Sequence, residues 1–365
     1  MAKTFRDPIK VIVQRPTKSL LAGDFNKVLY ITSEVDSPIK RYTSIDEIAT
    51  DYTTSSLQYK GISKAFSQQD ADGNIYATDY FYAGGFVPTA GSTDKVKAFF
   101  KAQTDDNYYG LIFNFYDEAI AKWVADYLIQ VVKFAIFIAP NKDAVKTELK
   151  STKRIYFLYT GEQTATDFGD KLMNAYALTA HTYWQGPSGR WATRALSGVI
   201  PTCTDRTLES ELFDNNINVT KNFAGYQAVT NGSWCADGET HADQTIKIDN
   251  IVHDITVNLE KLLVVEKNLV FEPEGLGKIE SLLNRVCVQL GRNGVIARNN
   301  AGDFLYKIYV PSWEDTDPDT GITTDDIIDR VLRNVKIDFT ITTEIENIDV
   351  TLVWHDQAID TGGAA

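Results

Sequence analysis

The sequence is short of the residues and spacings that carry chemistry. Its three cysteines, Cys203, Cys235 and Cys287, are an odd number without a CxxC pair. They indicate neither a disulfide framework nor a zinc site, and they fit reduced thiols in a cytosolic assembly compartment. Four histidines, His181, His241, His253 and His355, are scattered without HxxxH or HExxH spacing. There is no GxSxG turn to expose a nucleophile, and no strand-like run is followed by GxGxxG. Gly275-Leu276-Gly277-Lys278 lacks the spacing of a phosphate loop and the Ser or Thr after the lysine, so these glycines read as helix-entry residues. Long apolar runs are missing too. The longest, residues 128–140, is interrupted by Gln130 and Lys133 and is too short for a bilayer. The N-terminal MAKTFRDPIKVIV has no extended apolar stretch, so no secretory signal is expected. Positive charge is scarce, with 36 Lys and Arg against 49 Asp and Glu, a net −13 that argues against phosphate-backbone partners. The expectation is a protein that is not an enzyme, with no cofactor, metal, nucleic-acid partner or membrane insertion.

One acidic stretch resembles a calcium loop superficially. Asp315, Asp317 and Asp319 alternate, but Thr320 stands where an EF-hand needs its sixth-position glycine. Asp326 stands at the twelfth position in place of Glu, and Pro318 lies inside. It reads as a solvated acidic loop.

What is present is length, 365 residues, and an ordinary globular composition, 44% hydrophobic and 23% charged, enough for two or three domains with ample core. The chain's opening residues look extended, with Ile9, Val11 and Val13 alternating up to Pro16, and VLYIT at 28–32 reads as a buried strand. Ser44 and Glu47 have capping-box spacing for a short helix, and a second helix spans 57–66. A strand over 78–83 follows. Three apolar strands, 109–115, 134–139 and 155–159, are then each followed by helical sequence, which predicts a mostly parallel sheet covered by helices. Beyond a loop-like 185–198 the character is more mixed, with a stretch at 225–229, helices over 251–263 and 276–290, and a strand at 304–310.

The strongest strand signal is near the end. Val335, Ile337, Phe339 and Ile341 alternate with polar residues, and Ile348, Val350, Leu352 and Trp354 resume the alternation in opposite phase. The phase change requires a turn or bulge between two strands. Residues 1–30 carry six basic residues against Asp7 and Asp24, net +4, while the chain from Ala301 onward is acidic, a distribution that favours the two ends meeting. A terminus this short buries no face alone, so it needs a partner strand.

Two longer segments carry a family resemblance. SIDEIATDYTTSSLQYKGISKAFS (44–67) resembles the early run of short helices in contractile tail sheath proteins of bacteriophages and related particles. NLVFEPEGLGKIESLLNRVCVQLGRNGVIA (268–297) resembles their FEPN-and-helix segment, with Glu274 for the usual Asn. TDDIIDRVLRNVKIDFTITTEIENIDVTLVW (324–354) resembles their closing acidic loop, short helix and two strands, with Thr343, Glu344 and Ile345 replacing the usual Pro-Ala-Glu. TIKIDNIVHDITVNLEKLLV (245–264) stands where the family has a helix, with Lys247 or Asn250 where Arg is common.

The resemblance implies an α/β, overall α+β, multidomain subunit that stacks in six-fold rings around a tube. It implies an N-terminal arm (1–25), a first core part or connecting helices (26–84), an inserted outer α/β domain (85–200), a C-terminal core (201–347) and a C-terminal arm (348–365). In such proteins the arms complete sheets of neighbouring copies, so Ile9, Val11, Val13, Ile337, Phe339, Ile341, Ile348, Val350, Leu352 and Trp354 are candidate intersubunit strand residues. Partners would be further copies, a tail tube protein, and baseplate and tail terminator proteins, in a virion tail assembled in the bacterial cytoplasm. Lys278, Arg285 and Arg292 recur every seven residues, away from the apolar face of Ile279, Leu282, Leu283, Val286 and Leu290. In an acidic chain that stripe is a candidate contact with an acidic tube, a solvated face being the alternative. Another virion structural subunit, such as a tube protein, and an α/β enzyme with an unrecognised site both stay open.

Overall fold

The structure, a computed structural model, describes residues 25, 27–69, 78–103, 107–150, 152, 154–183, 191–230, 232–236, 241–315, 317 and 320–343. The first unit is a seven-stranded sheet in the order β2-β3-β1-β4-β5-β6-β8. Its strands are β1 (Val28–Thr32), β2 (Ser37–Tyr42), β3 (Phe81–Gly85), β4 (Gly110–Phe113), β5 (Phe134–Ala139), β6 (Ile155–Tyr159) and β8 (Ile217–Asn218). All neighbours are parallel except the edge strand β2, which runs antiparallel to β3. The sequence reason is direct. The central runs, β1 and β3 to β6, are buried on both faces, and alternate residues feed two separate cores. Val28, Tyr30, Phe134 and Ile136 point to one face, beneath α2 (Leu57–Phe66) and α5 (Phe168–Tyr183). Leu29, Ile31, Ala135 and Phe137 point to the other, beneath α3 (Asp94–Lys101), α4 (Glu118–Gln130) and α6 (Arg206–Asp214).

The sheet corrects two expectations. Strands on either side of residue 85 belong to it, with β1 between β3 and β4, and β8 joins it beyond residue 200. One sheet therefore runs from residue 28 to 218 and crosses both 85 and 200. The helix expected after Pro140 is only a 3-10 turn at Thr147–Leu149. There the Asn141 side chain accepts the Asp143 N–H at 3.0 Å, a local bond that competes with helix formation. At α1 (Ile45–Ile48), Ser44 caps as expected by accepting from the Glu47 N–H, but the Glu47 carboxylate takes the N–H of Thr43 at 2.7 Å rather than that of Ser44.

A small antiparallel sheet follows, β7 (Ala195–Leu196), β9 (Thr220–Phe223) and β10 (Tyr226–Val229), in the order β7-β10-β9. Then α7 (Ala242–Val265) and α8 (Pro273–Arg292) lead into the C-terminal unit, whose sheet is the antiparallel pair of β11 (Tyr306–Tyr309) and β12 (Lys336–Phe339), with α9 (Thr324–Asp329) between them in sequence. Both helices are longer than the apolar spacing predicts. Pro273 sits in the first turn of α8, where its missing N–H costs nothing.

Helix α7 joins the two units because it carries two buried stripes. Ala242 and Ile246 pack in the core beneath α2 and α5, whereas Ile251 and Ile255 pack with Leu283, Val286 and Leu290 of α8.

Close approach between α2 and α5 depends on Gly61, where an added Cβ would lie 2.5 Å from the Tyr176 ring. That ring also stacks on Tyr30, and the Tyr176 hydroxyl donates to Gln58 at 2.6 Å, so it has little room to retreat. Gly61→Ala is expected to lose about 1–3 kcal/mol by overpacking, read as a lower urea midpoint with an unchanged slope.

Candidate assembly surfaces

In a doubly wound sheet the customary ligand seat is the crevice at the carboxyl ends of strands whose connections diverge, here β1 and β4. This chain fills that seat with its own side chains. Asn114, just past β4, donates to the Thr32 hydroxyl at 2.9 Å and accepts the Ser33 N–H at 3.2 Å. Glu34 turns its carboxylate onto the first amides of α2, accepting from Leu57 and Gln58 at 3.1 Å each. A helix N-terminus that elsewhere receives a phosphate therefore receives an internal carboxylate.

The thiols are equally occupied. All three are buried. Burial alone pushes the Cys287 thiol up to about 11, and the Cys235 thiol donates to the Leu149 carbonyl. Neither has the electropositive, accessible setting of a reactive cysteine. His355 lies outside the described residues. Around the acidic loop, Asp315 accepts from the Tyr309 hydroxyl, which holds its carboxyl below the ordinary range. Asp319 lies outside the described residues. Among the described residues no group of three potential ligands is placed to hold a metal, and no helix is long and apolar enough to cross a membrane.

The surfaces on offer lie in the C-terminal unit. A two-stranded sheet is marginal alone and needs a helix to cover it. Ile308, Ile337, Phe339 and Ile341 supply that face against Ile279, Leu283 and Leu290 of α8. Ile337 is paired with Ile308, Phe339 with Tyr306, and Ile341 forms an isolated bridge with Ile296. These three residues, expected in an intersubunit strand, are built into this chain's own core, with β12 paired to β11 along one edge. Their alternation reports burial on α8. Ile9, Val11, Val13, Ile348, Val350, Leu352 and Trp354 lie outside the described residues. Because the sheet has two strands, each has one edge unpaired by a neighbouring strand among the described residues. An open groove of about 570 Å³ runs between α8 and β11, lined among others by Glu280, Asp303, Tyr306 and Lys307.

The three cations of α8 are not equivalent. Lys278 is already ion-paired, at 3.0 Å with Glu266 and 3.3 Å with Glu274, and these bonds raise its pKa. Arg285 and Arg292 are exposed, two turns apart along the helix, and no ion pair holds them among the described residues.

Sequence reasoning missed the buried charges of α7. Asp249 accepts both guanidinium arms of Arg154, at 2.5 and 2.8 Å, together with the Tyr109 hydroxyl at 2.7 Å. Burial pulls the Arg154 pKa down, but its bonds to Asp249 outweigh that and leave it raised; burial pushes Tyr109 well up. On the other face Lys247, wholly buried, pairs with Asp243. A signal existed, since Asp249 and Lys247 stand in register with the apolar residues Ala242 and Ile246, and Ile251 and Ile255, respectively.

Comparison with solved structures adds a fold-level likeness. A chain of the anti-feeding prophage helical sheath in its contracted state aligns with a TM-score of 0.67 at 16% identity, over 96% of this chain and 99% of that one. A chain of the six-fold symmetrised baseplate of the same particle aligns with a TM-score of 0.64 at 14% identity, over 95% and 98%. The sheath tail protein of Desulfitobacterium hafniense aligns with a TM-score of 0.51 at 8% identity, over 82% and 93%. No protein-family model and no curated protein matches the sequence. The fold is that of contractile tail sheath proteins.

Breaking a buried pair strands the partner charge. Asp249→Ala is expected to lose about 3–5 kcal/mol in urea unfolding, and the double variant with Arg154→Met markedly less than the sum, because no unpaired guanidinium remains. Additive losses would show that the two groups do not act together.

Proposed function

We propose that the chain is the repeating subunit of a contractile tail sheath. Its copies would polymerise in six-fold rings around a tail tube and rearrange as rigid bodies to drive the tube through a cell envelope. The observation that carries this reading is the likeness to a helical sheath chain over 96% of this chain and 99% of that one. The self-filled crevice supports it from the other side, since the seat an α/β enzyme would use is occupied by Glu34 and Asn114.

In this reading Ile9 to Val13 and Ile348 to Trp354 form arms that pair with open strand edges of neighbouring copies. Main-chain bonds would supply strength, and side-chain alternation would supply register. The β11–β12 sheet, each strand of which has an unpaired edge among the described residues, would be the receiving element. The α/β unit would face outward. Further partners are a tail tube protein and the baseplate and tail terminator proteins, and the site of action is a tail assembled in the bacterial cytoplasm. Contraction needs no cofactor, because its energy would lie in the difference between two packings of one subunit.

Negative-stain microscopy of the purified protein tests the reading. Rings or striated hollow cylinders are expected, and removal of residues 1–15, or of everything after Asn347, is expected to leave a folded monomer that does not polymerise. Uniform small particles from the full chain, or normal cylinders from either truncation, would count against it.

The tube contact is assigned to Arg285 and Arg292, Lys278 being already neutralised. Exposed ion pairs are worth at most about 1 kcal/mol each, which suits a contact that holds a tube and then releases it along its whole length. Reversing both arginines to Glu is expected to leave tube-free polymers intact while abolishing co-assembly with tube, checked by co-sedimentation. Normal sheathing by the double variant would reassign the surface.

A further inference from the structure

Among the buried groups that the reading above does not use, Lys247 does most to order the chain. It is wholly buried on α7, and its Nζ donates, among the described residues, to groups of two different kinds. One is the Asp243 carboxylate one turn back, at 3.2 Å. The other is the main-chain carbonyl of Thr342, at 3.0 Å, ninety-five residues away. Thr342 closes the run that follows β12. Its N–H donates to the Val295 carbonyl at 3.0 Å and its hydroxyl to the Gly294 carbonyl at 2.6 Å. The lysine thus fixes the third polar group of one residue, close to the end of the described C-terminal unit.

The position itself argues for a purpose. Asp243, Lys247, Ile251 and Ile255 are four residues apart and form one stripe, and its two isoleucines pack in the C-terminal core. An apolar residue at 247 would suit that stripe. A buried ammonium costs several kcal/mol unless fully paired, so its use here requires a partner that an apolar side chain cannot serve. The Asp243 carboxylate and the Thr342 carbonyl are such partners, and the second lies on a different element.

The opposite side of α7 holds the other end of the described chain. At about 100° per residue, Asp249 lies some 200° around the helix from Lys247. Asp249 binds Arg154 and Tyr109, and His253 one turn on meets the Phe25 ring at 5.4 Å. Phe25 also packs on Tyr109 at 4.5 Å. Within three turns, α7 therefore contacts the root of the N-terminal segment, the root of the C-terminal segment and the α/β sheet.

We infer that Lys247 is a positioning residue, which clamps the Thr342 carbonyl to α7 and so sets the point and direction at which the chain beyond residue 342 leaves the subunit. Its consequence for assembly rests on the sheath reading; the clamp itself does not. Hydrogen exchange read by mass spectrometry on the full-length protein tests the clamp. Lys247→Met is expected to raise exchange in the 295–297 and 340–343 segments about tenfold or more, with β1 to β6 unchanged, and Lys247→Arg is expected to restore protection. Unchanged protection in Lys247→Met overturns the clamp. Should Lys247→Met not fold, Lys247→Gln against Lys247→Arg decides by the same readout, equal protection in both overturning it. In microscopy Lys247→Met is expected to give few or short cylinders and Lys247→Arg normal ones. Raised exchange with cylinders of normal length overturns the role in setting the exit. If the natural chain itself forms no cylinders, the sheath reading fails while the exchange result still decides the clamp.

Discussion

The arrangement depends on one helix being shared by two cores. A helix that packs on one side needs one apolar stripe, whereas α7 needs two, and its polar residues must then be buried as well. The chain meets that demand with charges that find partners at once: Asp249 with Arg154 and Tyr109 on one side, Lys247 with Asp243 and Thr342 on the other. Apolar residues alone would join the two units without fixing their register. A bidentate guanidinium–carboxylate pair has a direction as well as an energy, so it resists sliding and rotation of α7 against the sheet.

The two units differ in how they meet the rule that main-chain polar groups must be paired. The seven-stranded sheet is covered on both faces, and its two edges are the bulged β2 and the two-residue β8, features that discourage further strands. Among the described residues the C-terminal sheet has two strands, packed against α8 and part of α7. Its stability comes from apolar contact with α8, and Gly291 lets the Phe304 ring lie where a Cβ would stand 2.3 Å away.

Much of this was legible in sequence because the signals were local. The apolar runs at 28–32, 134–139 and 155–159 are strands at those residues, and 57–66 is a helix. Partners were harder to read. The alternation from Val335 to Ile341 is real, yet it marks burial against α8 and pairing with β11, information held thirty residues upstream. VLYIT gave no sign that it would be a central strand, since sheet order depends on which helices fit between strands. The candidate tube stripe was visible as a seven-residue spacing, but the neutralisation of Lys278 by Glu266 was not, because Glu266 lies across the turn between α7 and α8. The α7 charges carried a faint signal, being in step with its apolar residues.

Glu34 deserves a last word for what it does to the α/β unit as a component. In proteins where a helix N-terminus receives a dissociable anion, the shape around it follows the concentration of that anion. Here the anion is covalently part of the chain, held by Leu57 and Gln58 a few ångströms from the strand that carries it. Its effective concentration is set by the backbone and does not follow the surrounding pool of metabolites. A lattice made of many identical parts that must all keep the same dimensions benefits from parts whose form is set in this way, by covalent connection instead of by supply.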